Sequence, residues 1–338
     1  RDTADALFDI LISRNDEKAA ELVFGSFLRI IDALSNKNFG HLRRSLEEYV
    51  DKHFHFAQPQ VHKWFLHCLI KNLTFDQSDV RKAKVVSQTL RAFHYMFRII
   101  VSSRSICERE QQQKGSGGAT STLNNNNNTS GSSTMSSSSE YLSQIEHVFQ
   151  LLNHIIGIQK NTMLIAAQDL MLKFIGPLFE VLSDIFPSGG NYGLLGRITC
   201  QFLESIPDTG RTNTTEGKLL IASCVANGNL LMRGEPRHEL VDSLIKLIGH
   251  HMNRTNAERR MSVKVLANLV GTLQRVLIVV DANDREKQLK ENTKNSLSVH
   301  TSFLRLFQLL PSIHMALAEL KKLSLEAKSR IQKSKQNG

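Results

Sequence analysis

The sequence predicts an all-α protein, an irregular armadillo- or HEAT-like α-solenoid of helix pairs. Apolar residues recur at three- and four-residue steps along most of the chain, as on one face of an amphipathic helix. The 338 residues include only 6 prolines and 19 glycines, and aromatic residues make up 7%, whereas an all-β protein needs many turns and aromatic strand residues. Candidate helices arrive in pairs about every 40 residues without a strict sequence repeat, as in armadillo and HEAT proteins.

The best-defined helix pair covers residues 23–54. Its first apolar stripe ends near Leu34, turn-favouring residues occupy 36–38, and a second stripe begins at Phe39. Pro59 suits the first turn of the next helix, and Ser78 or Asp79 is a candidate cap for a long one. The helices predicted for this half are 3–13, 16–35, 39–55, 60–73 and a long helix reaching residue 109.

Helical periodicity resumes at Tyr141. Gly176-Pro177 should kink or split one of the later helices, because proline removes a backbone donor. Pro311 marks a second interruption, and residues 281–298 are too polar to assign. The helices predicted for this half are 141–157, 162–185, 194–206, 215–232, 236–253, 255–280 and 299–322.

Between the two halves lies a segment of low complexity. It contains a Gln run, GSGG, five consecutive asparagines and four serines, and nothing in it can offset the entropy of ordering. We therefore predict three regions: N-terminal helical repeats over 1–110, a disordered linker over 111–139, and C-terminal helical repeats with a basic tail over 140–338.

The formal net charge is +10, which raises the question of a nucleic-acid or anionic-membrane partner. Most basic residues are interspersed with acids, as on solvated helix faces, so no nucleic acid is expected. One denser basic run remains as a candidate for weak contact with anionic lipid: Lys321, Lys322, Lys328, Arg330, Lys333 and Lys335.

The chain predicts a cytoplasmic protein. Its N-terminus lacks a signal peptide pattern, and its longest apolar run, 276–280, is far shorter than the roughly 20 residues of a membrane span. The widely spaced cysteines predict reduced, largely buried thiols. Because residue 1 is not methionine, we expect a piece of a longer protein.

No sequence motif for catalysis or cofactor binding is present. The chain lacks a P-loop, GxGxxG, GxSxG, HExxH and DFG, so we predict no catalytic, cofactor or metal residues, no cofactor, and partner-binding residues that remain unknown. Six histidines come in suggestive pairs, but their spacing does not suit a helical zinc site, and surface or loop positions are expected. They are His53, His55, His62, His67, His250 and His251.

Aromatic residues are the remaining candidates for a binding site. Trp64 is predicted to anchor the core, with a partner-binding hot spot as the alternative. In RAFHYMFR, residues 91–98, basic and aromatic residues interleave as if to stack on single-stranded nucleic acid. Phe93, Phe97 and Ile100 share one face, however, which favours packing.

Three segments carry a family resemblance, in this order: DALFDIL at 5–11, the helix pair at 23–54, and RAFHYMFRIIVSSR at 91–104. Together they resemble the dedicator-of-cytokinesis proteins, exchange factors for Rho-family GTPases. The similar region is the helical scaffold between their lipid-binding and GTPase-binding parts. A weaker similarity covers 141–276, including PRHELVDSLIKLIGHHMNR at 236–254.

The resemblance implies a non-catalytic scaffold segment within an exchange factor for Rac- or Rap-like GTPases in cytoskeletal signalling. Its partners would be flanking regions of the parent chain and adaptor proteins, with the GTPase bound elsewhere in the parent. The parent would be cytoplasmic and recruited to the plasma membrane. Two alternatives stay open: a free-standing α-solenoid adaptor for an acidic or extended protein partner, and an enzyme in its own right.

Overall fold

The all-α prediction is confirmed. The computed structural model of the chain describes residues 2–34, 41, 43–75, 79–116, 132–180, 192–208, 211–284 and, apart from five positions, 301–318. Across these ranges every regular element is helical and no strand occurs. Neighbouring helices pack side by side along the chain, as the helix-pair solenoid class requires.

The helices follow the predicted order. They are α1 (Asp2–Arg14), α2 (Glu17–Leu34), α3 (Arg43–Glu48), α4 (Pro59–Leu73), α5 (Val80–Ser116), α6 (Ser132–Ile156), α7 (Thr162–Glu180), α8 (Tyr192–Ser205), α9 (Thr212–Asn227), α10 (Gly234–Met252) and α11 (Asn256–Asp284). A π-helical turn, Tyr49–His53, continues α3, and 3-10 turns cover Asn229–Met232 and Phe307–Leu309.

The chain divides into two compact units. The first contains Arg1–Leu178 and Glu204–Pro207, and the second contains Asn191–Leu203 and Asp208–Gly338. Helices α5 and α6 enter both ends of the predicted 111–139 linker, whereas residues 117–131 and the basic run after 318 lie outside the described residues. The division into 1–110, 111–139 and 140–338 stays a prediction.

Short polar side chains fix where helices begin. The Asp16 carboxylate accepts a hydrogen bond from the Ala19 backbone N–H at 2.7 Å and so starts α2. Asp79 accepts from the N–H groups of Arg81 and Lys82 at 2.9 and 3.1 Å. Each carboxylate satisfies backbone donors that have no intrahelical partner, which confirms Asp79 as the cap of α5.

The core of the first unit is built around Phe8, whose side chain is fully buried. Four aromatic rings surround it, with centroids 4.9–5.4 Å away, and they come from α2, α4 and the segment after the π-helical turn: Phe27, Phe54, Phe56 and Phe65. Aromatic side chains bury more apolar area than other residues. We call these five residues the Phe8 cluster; it joins α1, α2, α4 and the segment between the π-helical turn and α4.

Helix α5 continues this core. Phe93, Phe97 and Ile100 are buried, which confirms their predicted packing role. The Phe93 and Phe97 rings stack at 5.4 Å, and Phe97 meets Phe149 of α6 edge-on at 5.8 Å. The apolar face of α5 is therefore covered by neighbouring helices of the same unit.

A polar clasp holds α3, α5 and α7 together in the first unit. Arg43 donates from Nε to the Tyr95 hydroxyl at 3.1 Å, and that hydroxyl donates to Glu47 at 3.2 Å. The Arg43 guanidinium also lies 4.1 Å from the centre of the Phe174 ring, a cation–π contact. Each group thus has a partner that compensates for its partial burial.

The second unit depends on close approach between helices. A Cβ on Gly196 of α8 would come within 2.5 Å of the Pro236 Cβ on α10, so only glycine fits there without a shift. The buried guanidinium of Arg237 donates to the carbonyl oxygens of Leu231 and Met232, both at 3.0 Å. It thereby satisfies the end of the 3-10 turn that precedes α10.

The structure differs from the sequence-based prediction at two helix boundaries. The predicted helix 215–232 is divided at Gly228, where a Cβ would lie 2.9 Å from the Phe179 carbonyl oxygen and the backbone turns extended. At Gly176-Pro177, where the sequence predicts a kink or a split, the helix is not split, because α7 continues through Pro177 to Glu180. The missing N–H of this proline removes one backbone hydrogen bond to the carbonyl four residues earlier, and the helix continues past it.

Two helices among the described residues have the length and apolarity to cross a membrane, Thr162–Glu180 and Asn256–Ile278. Half of the first apolar window and a third of the second are buried inside the protein. In α7 the buried apolar residues include Leu164, Met171 and Leu172. A face that packs in a core accounts for this composition as well as a membrane span does.

Replacing Phe8 with alanine should lower the free energy of unfolding of the first unit by about 3–5 kcal/mol, the usual cost of deleting a buried phenylalanine. The only tryptophan, Trp64, lies on α4 in this unit beside Phe65 of the Phe8 cluster. Its fluorescence during urea unfolding reports the stability of this unit.

The matched control is Leu22→Ala on α2, because the Leu22 side chain is 73% exposed. We expect that variant to change the free energy of unfolding by less than about 0.5 kcal/mol. Equal losses for Phe8→Ala and Leu22→Ala would contradict the central place of Phe8.

Candidate functional site

The histidines occupy several different environments. His53 and His67 have partly or fully exposed side chains, and the exposed His55 ring stacks on Phe56 at 4.5 Å. The expectation of surface or loop positions is wrong for two others, because His62 and His251 are each only 1% exposed. Both lie on helix faces that pack against other elements, which the pair spacing does not reveal.

His62 is a structural residue of the first unit. A hydrogen bond joins its Nδ1 to the Ser103 hydroxyl on α5 at 3.3 Å, and its ring meets Tyr141 of α6 edge-on at 6.0 Å. Burial, with a smaller effect of the charges of Arg104 and Lys63, lowers the pKa of His62 to about 3. The folded protein therefore keeps this imidazole neutral at ordinary pH.

Trp64 is not the buried core anchor that the sequence predicts. Its side chain is partly exposed, and its Nε1–H donates to the Asn15 side-chain oxygen at 2.9 Å. Asn15 has a positive φ of 47° at the turn between α1 and α2, a conformation that asparagine tolerates. The neighbouring Phe65 and Leu66 fill the core instead, so Trp64 connects the α1–α2 turn to α4.

The cysteines are free thiols, and two of them are buried as predicted, Cys68 and Cys107. Cys200 and Cys224 are partly exposed. Burial raises the pKa of Cys68 to about 12 and, with the Glu180 charge, that of Cys224 to about 12. A thiol is nucleophilic as its thiolate, so these environments oppose reactivity.

Three side chains that are distant in sequence meet in the second unit: Asp208, His250 and His251. The Asp208 carboxylate lies after α8, and the two histidines occupy the last turn of α10. His250 Nε2 is 3.0 Å from Asp208 Oδ2, and His251 Nε2 is 3.8 Å from Asp208 Oδ1. Within the residues that the structure describes, this is the arrangement with ligand types and spacing suited to a metal ion.

The sequence shows the two histidines of this group as a pair, but it does not show that Asp208 lies beside them. The His250-His251 pair is visible in the chain, but adjacent helical residues diverge in direction, so the pair alone predicts no site. Asp208 lies more than forty residues upstream, in the connection between α8 and α9. Only the packing of that connection against the end of α10 brings the three together.

Comparison with known proteins points to one family. The family model of the dedicator of cytokinesis (DOCK) TPR region matches residues 1–299. Dedicator of cytokinesis protein 3 of Homo sapiens is 31% identical over 109 residues, which is 32% of this chain and 5% of that protein. Dedicator of cytokinesis protein 4 of Mus musculus is 29% identical over 111 residues, 31% of this chain and 5% of that protein. No solved structure matches the chain significantly.

Replacing His62 with glutamine should flatten the pH dependence of stability in the first unit. Above about pH 6.5 the imidazole is neutral in both the folded and the unfolded chain. At lower pH the unfolded chain takes up a proton that the folded chain refuses until pH about 3. The free energy of unfolding of the wild-type protein therefore decreases, because of this group, by about 1.4 kcal/mol for each unit by which the pH falls.

When the pH falls from about 6.5 to about 5, we expect the free energy of unfolding of His62→Gln to decrease by about 2 kcal/mol less than that of the wild type. Urea unfolding followed by Trp64 fluorescence measures this difference. The control is His147→Gln on α6, which removes an exposed imidazole. Its free energy of unfolding should change with pH as that of the wild type does. Identical pH profiles for His62→Gln and the wild type would contradict a neutral, buried His62.

Proposed function

This chain belongs to the dedicator of cytokinesis family, and from that membership we propose that it is a non-catalytic helical scaffold of a guanine-nucleotide exchange factor. The proposed substrates of the parent protein are Rac- or Rap-like small GTPases in cytoskeletal signalling. The aligned segments cover about 5% of the length of the curated relatives. The activity therefore belongs to the parent, and this chain supplies a supporting part.

One observation carries the scaffold role: the segments that resemble the family are packing segments. Phe8, Phe27 and Phe54, from the first two segments, lie in the Phe8 cluster. Phe93 and Phe97, from the third, are buried where α5 packs against its neighbours. A shared sequence pattern made of core residues supports a shared shape, not a shared reaction.

The chemistry of the described side chains is consistent with this role. His62 is held neutral by burial, Cys68 is held as a thiol, and Arg43 is engaged with Tyr95 and Phe174. Nucleophiles and general bases require the opposite, a reactive form that reaches a substrate. These groups therefore serve the packing of the first unit.

Helical repeats suit a scaffold because each repeat contacts mainly its neighbours, so length is added without changing the chemistry. We place the GTPase-binding and lipid-binding functions in other parts of the parent protein. The partners of this chain would then be those flanking regions and adaptor proteins. The parent would be cytoplasmic and would reach the plasma membrane through its lipid-binding part.

A second function is favoured by the charge of the chain, which is +10. A free-standing helical adaptor for an acidic or extended protein partner would use the same fold. Such binding would weaken steeply as salt is added, because exposed charges are screened over about 10 Å at 0.1 M salt.

The scaffold proposal is tested by nucleotide release from purified GTPases. The 338-residue chain, added to Rac and to Rap loaded with a fluorescent guanine nucleotide, should leave the release rate at its spontaneous value. The full-length protein that contains this chain should accelerate release from at least one of them.

The chain alone tests the non-catalytic role, and the full-length protein tests the proposed exchange activity of the parent. Acceleration by the chain alone would show a catalytic site in it and end the non-catalytic assignment. A full-length protein inactive on both GTPases would refute the proposed parent activity, and salt-sensitive binding of the chain to an acidic partner would then favour the adaptor.

A further inference from the structure

The group formed by Asp208, His250 and His251 has a polar atom that no protein donor satisfies. His251 Nδ1 lies 2.7 Å from Glu258 Oε2, a distance at which the ring donates its Nδ1–H to the carboxylate. Nε2 then carries the ring's lone pair. That atom is buried and has no hydrogen-bond partner.

The lone pair of His251 Nε2 faces another acceptor. Its near neighbour is Asp208 Oδ1 at 3.8 Å, a carboxylate oxygen with lone pairs of its own. Asp208 is partly exposed, but Nε2 is buried, and two acceptors form no hydrogen bond with each other.

We propose that Asp208, His250 and His251 bind a divalent transition-metal ion of the Zn²⁺ class. Two imidazole nitrogens and one carboxylate oxygen form a donor set found in zinc proteins, and three protein ligands leave a fourth position for water or a partner's side chain. The lone pair of His251 Nε2 would bind the metal, and this buried nitrogen would then have a partner.

The three ligand atoms need only small shifts to reach the separations found around a tetrahedral Zn²⁺. Ligands about 2.1 Å from a tetrahedral Zn²⁺ lie about 3.4 Å from one another. Asp208 Oδ2 lies 3.0 Å from His250 Nε2, and the other carboxylate oxygen, Oδ1, lies 3.8 Å from His251 Nε2, so each contact is within about 0.4 Å of that separation. All three ligand atoms lie within 4.8 Å of one another, so no pair has to move closer by more than about 1.4 Å.

Glu258 already orients one ligand as the partners of metal-bound histidines do. Its carboxylate fixes the His251 tautomer and is itself held by the Thr255 hydroxyl, which donates to Oε1 at 3.1 Å. The Thr255 hydroxyl also accepts a hydrogen bond from the Glu258 backbone N–H at 3.3 Å, so Thr255 caps the start of α11. A carboxylate–histidine–metal chain of this kind raises ligand basicity.

The electrostatic surroundings contain one favourable and one competing feature. The last turn of α10 carries partial negative charge from its free carbonyl groups, which favours a cation there. Lys218 competes, because its Nζ lies 3.5 Å from Asp208 Oδ1. At that distance the ammonium contact is weak and involves Oδ1, whereas the other oxygen, Oδ2, faces the proposed ligand His250.

The bound ion would act as a cross-link within the second unit. It would tie the connection between α8 and α9, which contains Asp208, to the C-terminal end of α10. Because the folded chain brings these ligands together and the unfolded chain does not, metal binding would stabilise this unit.

The test uses the full 338-residue chain, stripped with a chelator and dialysed against Zn²⁺. We expect the wild type to retain one equivalent of Zn²⁺ by elemental analysis and to melt at a higher temperature with the ion than without it. Asp208→Asn and His250→Gln should lose both the bound equivalent and the rise in Tm. Both side chains are at least one-third exposed, so these variants should fold.

Two further variants separate the site from general binding to histidines. His147→Gln, which removes an exposed imidazole from α6, should bind as the wild type does. Glu258→Gln should bind about 10–100-fold more weakly, the usual loss when the partner of a metal-bound histidine is changed. Circular dichroism of each variant without metal verifies its fold.

Two results would overturn the proposal. In one, the wild type retains no Zn²⁺, which leaves the three residues as an ion-pair group around Asp208. In the other, Asp208→Asn and His250→Gln retain the full equivalent, which places the bound ion at other histidines or cysteines.

Discussion

The burial of Phe8 is the constraint on which the first unit depends. An amphipathic helix pair cannot hide its apolar face alone, and α1 is too short to be stable in isolation. The ring of Phe8 meets rings from α2, α4 and the segment after the π-helical turn. One side chain therefore contacts each of these elements, and the stacked rings of α5 extend the same core toward α6.

Polar chemistry in this chain is organised around that packing. His62 stays neutral between α4, α5 and α6, and the Arg43 clasp connects α3, α5 and α7. Buried polar groups of this kind are costly unless they are paired, and once paired they define which helices pack together. Nε2 of His62 and Nε2 of His251 are both buried without a hydrogen-bond partner. Within the described residues, however, His251 Nε2 lies in a group with a carboxylate and a second imidazole, those of Asp208 and His250. That contrast separates a candidate binding group from the structural ones.

Local signals in the sequence predict most of the helices and their starts. Asp79 and Pro59 lie at the beginnings of α5 and α4 because capping and proline chemistry are local. The errors have a different origin. Gly228 breaks a helix where another segment approaches closely, and Trp64 turns outward to a hydrogen bond with Asn15, distant in sequence. Asp208 joins two histidines through a tertiary contact, which periodicity cannot report.

Native-state hydrogen exchange of Phe8→Ala beside the wild type tests the central claim most directly, because it resolves stability helix by helix. If the Phe8 cluster holds the first unit together, the amides of α1, α2 and α4 should lose protection together and by similar free energies. Loss of protection confined to α1, with α2 and α4 as protected as in the wild type, would contradict the claim. Phe8 would then secure its own helix, and the organising interaction would lie elsewhere.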